Sequence, residues 1–441
     1  MSLHPYKIKF FKQNFKNWTS GNNSIDKFIQ DSQLTATDIK EALEWIPYSG
    51  FCHIKYIAKG GFGKVYRAYW IDGPMHSTWD YNNQNWNRGS GDKEVALKSI
   101  NNSKNITLEF IHEITSHYNL TKQKITSDDV NIIKFYGITQ DPKTEDYMMV
   151  LGYAKYGSLR NYLDMTYYKL NWFDKIGNLR RIANGIYYIH ENNLIHRDLH
   201  IGNILKSDGD TLITDVGLCR PADYNVLENT NNKIYGVLPY IAPEILRGQS
   251  YTKAADIYSF GIIMYEVISG LPPYHEVNHE KPLALSICQG LRPIFKIKVP
   301  KLILHLIKRC LDASPSNRPT INEIKITFEQ WWFVEYNSYR KDPDNPNYET
   351  ELIKQIKDAE KINNNLTTDN ITSTNLALSY ETHPEAIYTS RLLDFNNLPE
   401  PKNSDGYYEQ YDNISSMKYP VYLRTSQSLQ ILDITKLKMI S

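Results

Sequence analysis

The residues best suited to chemistry gather between positions 195 and 217 of the 441-residue chain. The run Ile195-His196-Arg197-Asp198-Leu199-His200-Ile201-Gly202-Asn203 is followed by Ile213-Thr214-Asp215-Val216-Gly217, and later by Ala242-Pro243-Glu244. Phosphoryl transfer needs positioning and charge neutralisation more than a strong nucleophile. One carboxylate must take or orient the proton of an attacking hydroxyl. An amide oxygen and a second carboxylate must hold Mg2+ against a triphosphate. Asp198, Asn203 and Asp215 supply that set, and spacings of five and then twelve residues suit a loop, a short hairpin and a metal-binding turn. A second group lies upstream. In Ile57-Ala58-Lys59-Gly60-Gly61-Phe62-Gly63-Lys64-Val65 the glycines let backbone N–H groups approach a phosphate with no Cβ in the way. Alone, such a run is more often a hairpin turn. Val95-Ala96-Leu97-Lys98 adds weight, because a lysine ending an apolar strand is costly unless an anion meets it. Glu113, on the helix that follows, is placed to pair with Lys98.

Positioning these groups requires a scaffold, and the pattern supplies one. Phe51–Tyr56, Val65–Ile71, Glu94–Ile100 and Tyr147–Tyr153 read as strands, with a long helix over Thr107–Leu120. The second half reads as helical, for instance Trp172–Glu191 and Ala255–Ser269. A small β-rich lobe followed by a larger helical lobe is an α+β arrangement. Residues 1–45 form an extension whose Ile25, Phe28 and Ile29 share one helix face, expected to pack on the neighbouring domain. A second helix is predicted to begin near Asp38, with Glu41 as capping partner. The insertion Asp72–Asp92, carrying Trp79, Tyr81 and Trp86, reads as an extended, flexible hairpin. After Tyr339 the run 341–347 reads as a linker, then Leu352, Ile353, Ile356, Ala359 and Ile362 recur at helical spacing. The remaining tail is expected to be largely disordered. Its segment Ala386–Pro399 fits a docking or autophosphorylation stretch, but a disordered spacer is the commoner explanation.

Composition narrows the classes. Fifty Lys and Arg against 49 Asp and Glu leave a net charge of +1, no basis for nucleic acid or an anionic membrane as the main partner. Cys52, Cys219, Cys288 and Cys310 form no CxxC pair, which argues against a zinc ribbon or disulfide framework and fits a reducing compartment. No apolar run reaches the ~18 residues of a membrane span. The first fifteen residues carry charges where a signal peptide needs its apolar core. An intracellular chain, cytoplasmic or nuclear and without membrane insertion, is expected. Composition leaves the oligomeric state open.

With those residues in hand, the segment 46–333 resembles the eukaryotic protein kinases: glycine loop, strand lysine, helix glutamate, HRD loop, DFG-like turn and APE occur in that family's order. Asp256-Ile257-Tyr258-Ser259-Phe260-Gly261 and Asn317-Arg318-Pro319 match later elements, with Arg318 expected to pair with Glu244. Gly157–Leu163, after the hinge, is similar to the tyrosine-kinase-like group, whose members mostly modify Ser and Thr. The resemblance implies a bilobal kinase fold, with a small antiparallel sheet lobe of about 46–152 carrying one helix. The mainly helical lobe would span about 155–333, and the tail 334–441. It implies transfer of the γ-phosphate of ATP, with Mg2+, to protein substrates. Lys98 would contact the phosphates and Glu113 would hold it. Asp198 would be the base, with Asn203 and Asp215 as metal ligands. Ile57, Ala58, Gly60, Gly61, Phe62 and Gly63 would cover the nucleotide. Val65, Ala96 and Leu205 would sandwich adenine, and Gly152, Tyr153 and Ala154 would form the hinge behind gatekeeper Leu151. The activation segment would run from Asp215 to Glu244, with Tyr224, Thr230 and Tyr235 as candidate phosphorylation sites and Arg197 as a phosphate receiver.

The chain also departs from that pattern. Ala58 stands where the first loop glycine is usual, and Val216 replaces the DFG phenylalanine. His200 replaces a lysine common in Ser/Thr kinases, Val237 a threonine, and Gly152 a hinge glutamate. These changes leave two alternatives: a pseudokinase or scaffold binding nucleotide or partners with little catalysis, and a tyrosine or dual-specificity kinase. His190, His196 and His200 do not have a zinc spacing, and His196 is expected to be structural.

Overall fold

The computed structural model describes residues 5–60, 63–89, 91–100, 103, 106, 108–122, 130–221, 234–340, 350–368, 380–405, 407, 421–425 and 428–432. The small lobe is built on a six-stranded sheet. In chain order its strands are β1 (Glu44–Trp45), β2 (Phe51–Gly60), β3 (Gly63–Trp70), β6 (Lys93–Ile100), β7 (Phe135–Gln140) and β8 (Tyr147–Gly152), while β4 (Met75–Asp80) and β5 (Asn85–Arg88) form a separate hairpin. The sheet order is β1-β7-β8-β6-β3-β2, antiparallel except where the short β1 runs parallel to β7. The pairing Val65↔Lys98 brings the end of the glycine hairpin beside the lysine. Strands β1 and β7 escape the alternation pattern because β1 has two residues and β7 is mostly buried.

Three helices complete this half: α1 (Pro5–Asn14), α2 (Asn23–Thr35) and α3 (Leu108–Lys122). Ile25 and Ile29 of α2 are fully buried with Phe110 and Ile114 of α3, and the Phe28 ring meets Tyr118 edge-on at 5.5 Å. The extension therefore backs the helix that carries Glu113. Near Asp38 the predicted helix is a single 3-10 turn, Ile39–Glu41, and Glu41 accepts from the N–H and hydroxyl of Thr37 rather than capping Asp38. The insertion also differs from the flexible hairpin expected. Trp79 and Trp86 pack edge to face at 5.2 Å, Phe10 packs on Trp79, and Trp86 is buried with Phe11, Ile39 and Ala42. Two indoles in register have enough apolar area to dock a hairpin.

The large lobe contains α4 (Leu159–Thr166), α5 (Trp172–Glu191), α6 (Pro243–Leu246), α7 (Lys253–Ser269), α8 (Lys281–Cys288), α9 (Lys301–Cys310) and α10 (Ile321–Arg340). Asn171 and Asp174 form a capping box at the start of α5, satisfying two of the helix's orphan N–H groups. Nearly every residue of α7 is buried, so it is the axis around which the other helices pack. Glu244 and Arg318 form a fully buried two-pronged ion pair, 2.7 Å at each prong. Four short strands, β9 (Leu194–Ile195), β10 (Ile204–Lys206), β11 (Thr211–Ile213) and β12 (Arg220–Pro221), frame the loops that carry Asp198, Asn203 and Asp215.

Of the tail expected to be largely disordered, the described residues 350–368 and 380–405 pack in order on the protein. Helix α11 (Glu351–Thr368) buries Leu352, Ile353, Ile356 and Ala359, with Ile362 left exposed. Residues 380–405 lie along the large lobe, and β14 (Arg391–Leu393) pairs antiparallel with β13 (Ile234–Gly236) at the end of the activation segment. Leu393 and Leu398 are buried in the large-lobe core, which supplies the apolar burial a free spacer would lack.

Candidate active site

Lys98 is inward on β6 and buried, with its Nζ 2.8 Å from Glu113 Oε1 and 2.7 Å from Asp215 Oδ1. Burial alone would strip its charge. The carboxylates of Asp215 and Glu113 outweigh that and hold the ammonium well above its ordinary range. Asp215 answers in the opposite sense: burial pushes its carboxyl up, and Lys98 holds it below the usual value. Asp215 sits in the left-handed region at φ 59. The next turn brings Gly217 against Glu113, where an added Cβ would lie 3.0–3.1 Å from the glutamate side chain. Glycine at 217 therefore lets the turn and α3 approach closely. Val216 is fully buried in the large-lobe cluster.

Behind Lys98, His117 is buried one turn beyond Glu113, its ring 5.6 Å from Phe135. Burial, reinforced by the Lys98 charge, pushes its pKa down to about 4, so it is neutral there.

Asp198 lies on the other side of the cleft. It follows Arg197, whose φ of 71 is a strained choice for a non-glycine residue. Asp256, buried near the start of α7, fixes that turn by accepting from the backbone N–H of His196 at 2.8 Å and of Arg197 at 3.1 Å. The same carboxylate meets His190 Nε2 at 2.8 Å. Neither residue was singled out for this role, because the contact joins positions about sixty apart in sequence. His196 is fully buried, with Nε2 3.2 Å from the Thr214 carbonyl, a link between the loops of Asp198 and Asp215.

Asn203 donates its amide to the Asp198 carbonyl at 2.9 Å and to Asp198 Oδ2 at 3.3 Å. Its backbone carbonyl accepts from Thr214 N–H at 2.9 Å, so β10, β11 and the following turn hold Asn203 and Asp215 on one side of the site. The Asp215 carboxylate and the Asn203 amide oxygen are hard donors, the kind Mg2+ takes in small number while keeping water and phosphate oxygens. The donor chemistry fits that ion.

Burial would raise the Asp198 carboxyl, and His200, Ser390 and His196 more than offset it, leaving Asp198 below the ordinary carboxylate range. Ser390, from the tail, was not anticipated here. Its Oγ is 2.9 and 2.8 Å from the two Asp198 oxygens and 3.2 Å from His200 Nε2.

Of the residues expected to cover a nucleotide, Ile57, Ala58 and Gly60 lie on β2 and Gly63 on β3, while Gly61 and Phe62 lie outside the described residues. Ala96 and Leu205 are half-buried against the small-lobe cluster, on the two sides of the cleft, and Leu151 is buried in it. Val65 pairs with both Ala58 and Lys98. Gly152 ends β8 opposite Val95, with Tyr153 and Ala154 following as the connection between lobes. Arg67 packs over Tyr153 at 5.3 Å. Tyr224 and Thr230 fall outside the described residues, whereas Tyr235 lies in β13. Arg197 places its guanidinium 4.6 Å from the Tyr251 ring centre.

Among the described residues no helix is long and apolar enough to cross a membrane. A profile of the protein tyrosine and serine/threonine kinase family matches residues 51–328. The chain is 34% identical over 197 residues to a protein named as a serine/threonine-protein kinase/receptor of Acanthamoeba polyphaga mimivirus, covering 44% of this chain and 12% of that one. Two proteins of Dictyostelium discoideum named as serine/threonine-protein kinases are 28% identical over 300 residues and 29% identical over 305. Those alignments cover 65% and 68% of this chain, but 15% and 29% of the relatives. The chain thus spans under a third of each relative's length. The profile match covers more than half of the chain and carries the lysine, the two loops and the ion pair described above, so the chain belongs to the protein tyrosine and serine/threonine kinase family.

Proposed function

We propose that residues 46–333 transfer the γ-phosphate of ATP, with Mg2+, to serine or threonine hydroxyls of protein substrates. The observation that carries this reading is the joint placement of Lys98 between Glu113 and Asp215 with Asn203 at hydrogen-bond distance from Asp198. Five polar groups from four separate segments converge there, and three are buried charges that a purely structural core would avoid. In this reading Lys98 binds the nucleotide phosphates, and Glu113 keeps its ammonium pointed into the cleft. Asp215 and Asn203 would hold Mg2+, which neutralises charge on the transferring phosphoryl group when bound. Asp198, kept ionised by its neighbours, accepts the proton of the attacking hydroxyl. The names of the relatives support serine and threonine as acceptors.

The test is incorporation of labelled γ-phosphate into dephosphorylated casein by the purified chain, beside Asp198→Asn. Label present with the wild type and lost with the variant is expected. Equal label from both, or none from either while the variant remains folded, would remove the assignment.

A further inference from the structure

The tail approaches the site as a strand. Its β14 adds to β13, with Ile234↔Leu393, Tyr235↔Leu392 and Gly236↔Arg391 in register. Adding an extended peptide to an exposed edge is a common way to bind one, the ladder fixing register and side-chain pockets fixing identity. Here the occupant is the chain's own tail, and it is held on both sides of the contact. Upstream, Tyr388 donates to the Pro273 carbonyl at 2.9 Å and packs on His279 at 4.8 Å. Downstream, Arg247 binds Glu400, and Asn403 bridges the Ala313 N–H and the Asp312 carboxylate.

Between these anchors stands Ser390, one residue before β14. Its Oγ donates to the Asp198 carboxylate, whose two oxygens lie at 2.9 and 2.8 Å, and is 3.2 Å from His200 Nε2. Gly236 carries the ladder close to the base: at φ 149, a Cβ there would lie 3.1 Å from Ile241 and 3.4 Å from Asp198 Oδ1. With the backbone pinned by the ladder, a serine hydroxyl meets the base. A phenolic hydroxyl, several bonds farther from the backbone, would overshoot it.

We propose that Ser390 is the acceptor of an intramolecular phosphoryl transfer, its hydroxyl delivered to Asp198 by the β13–β14 ladder. This rests on the kinase reading above and names a substrate of that same site. In the transfer the Ser390 Oγ forms a bond to the γ-phosphorus of ATP. The bond from that phosphorus to the β-bridging oxygen breaks, ADP leaves with the electron pair, and the Oγ proton passes to Asp198 and then to water. The product places a phosphate of about −2 charge against Asp198, a like-charge contact in a buried site. That repulsion releases the strand and frees the edge of β13 for other substrates.

The experiment incubates the full chain with Mg2+ and γ-labelled ATP across a wide dilution series, with casein present as a separate acceptor. Ser390→Ala and Asp198→Asn run beside it, and phosphopeptides are mapped. The expected result is label on Ser390 with a rate constant unchanged by dilution, absent from both variants. Casein labelled while Ser390 stays unmodified would overturn the Ser390 assignment and leave the kinase reading standing. Ser390 labelled at a rate that rises with protein concentration would overturn the intramolecular route. Label on neither acceptor would remove the kinase reading and this proposal together.

Discussion

Asp198 is buried yet held ionised, because the imidazole of His200 and the hydroxyl of Ser390 favour its charged form more than burial disfavours it. Loss of activity on acidification should therefore lie below the ordinary carboxylate value of about 3.9 wherever the fold survives. The sign follows from the direction: a base with a depressed pKa works above it and is lost as pH falls through it. His200→Leu removes one of the groups that depress it, so the acid limb of kcat/KM should move to higher pH. A limb that stays in place, or moves lower, would show that His200 does not set the charge of Asp198. At Lys98 the expectation is larger. Lys98→Ala should cut transfer by about 10²–10³, comparable with losing a preorganised electrostatic donor, while circular dichroism stays close to the wild type. Undiminished turnover would contradict the placement of Lys98 between two carboxylates as a phosphate-binding arrangement.

At the level of elements, the loop that carries Asp198 depends on α7. Asp256 holds two backbone N–H groups of a turn that includes Arg197 at φ 71. Asp256→Ala leaves those donors and His190 unpaired in a buried place, and should cost about 3–5 kcal/mol in denaturant unfolding. A cost under about 1 kcal/mol would mean that the turn holds without its anchor. The extension makes a comparable contribution in the small lobe. Ile29 is fully buried between α2 and α3, so Ile29→Ala should cost about 2–5 kcal/mol. Because α3 carries Glu113, the same variant should lower kcat, and an unaffected enzyme would separate the extension from catalysis. The Asp256 anchor is not visible in local propensity, and of the extension's contact only the helix face of Ile25, Phe28 and Ile29 is legible, not its partner α3. Each joins surfaces from distant parts of the chain.

For the whole molecule, the tail packs against the proposed catalytic site, with Ser390 on Asp198 and β14 on β13. Deleting residues 380–441 exposes Leu393's site in the core and opens the edge of β13. Two readouts should then diverge: a lower melting temperature, and a higher initial rate on casein before any autophosphorylation. A slower initial rate on casein would argue against the tail as an occupant of the acceptor site. The one-dimensional record already held the chemical groups, since Lys98, Glu113, Asp198, Asn203 and Asp215 are legible from residue type and order. It held the helices Trp172–Glu191 and Ala255–Ser269 nearly to the residue, the first through a long apolar periodicity and the second through a long, nearly continuous apolar run. What it left undecided depends on contacts between remote segments. Trp79 and Trp86 read as part of a loose hairpin until a partner surface from α1 and the 3-10 turn appears. Ala386–Pro399 reads as a spacer because a three-residue strand has no periodicity to detect and gains its hydrogen bonds only from β13. Ser390 is an ordinary serine in sequence. Only the fold brings it 192 residues back to Asp198, because the burial of Leu393 and Leu398 offsets the entropy of ordering the tail.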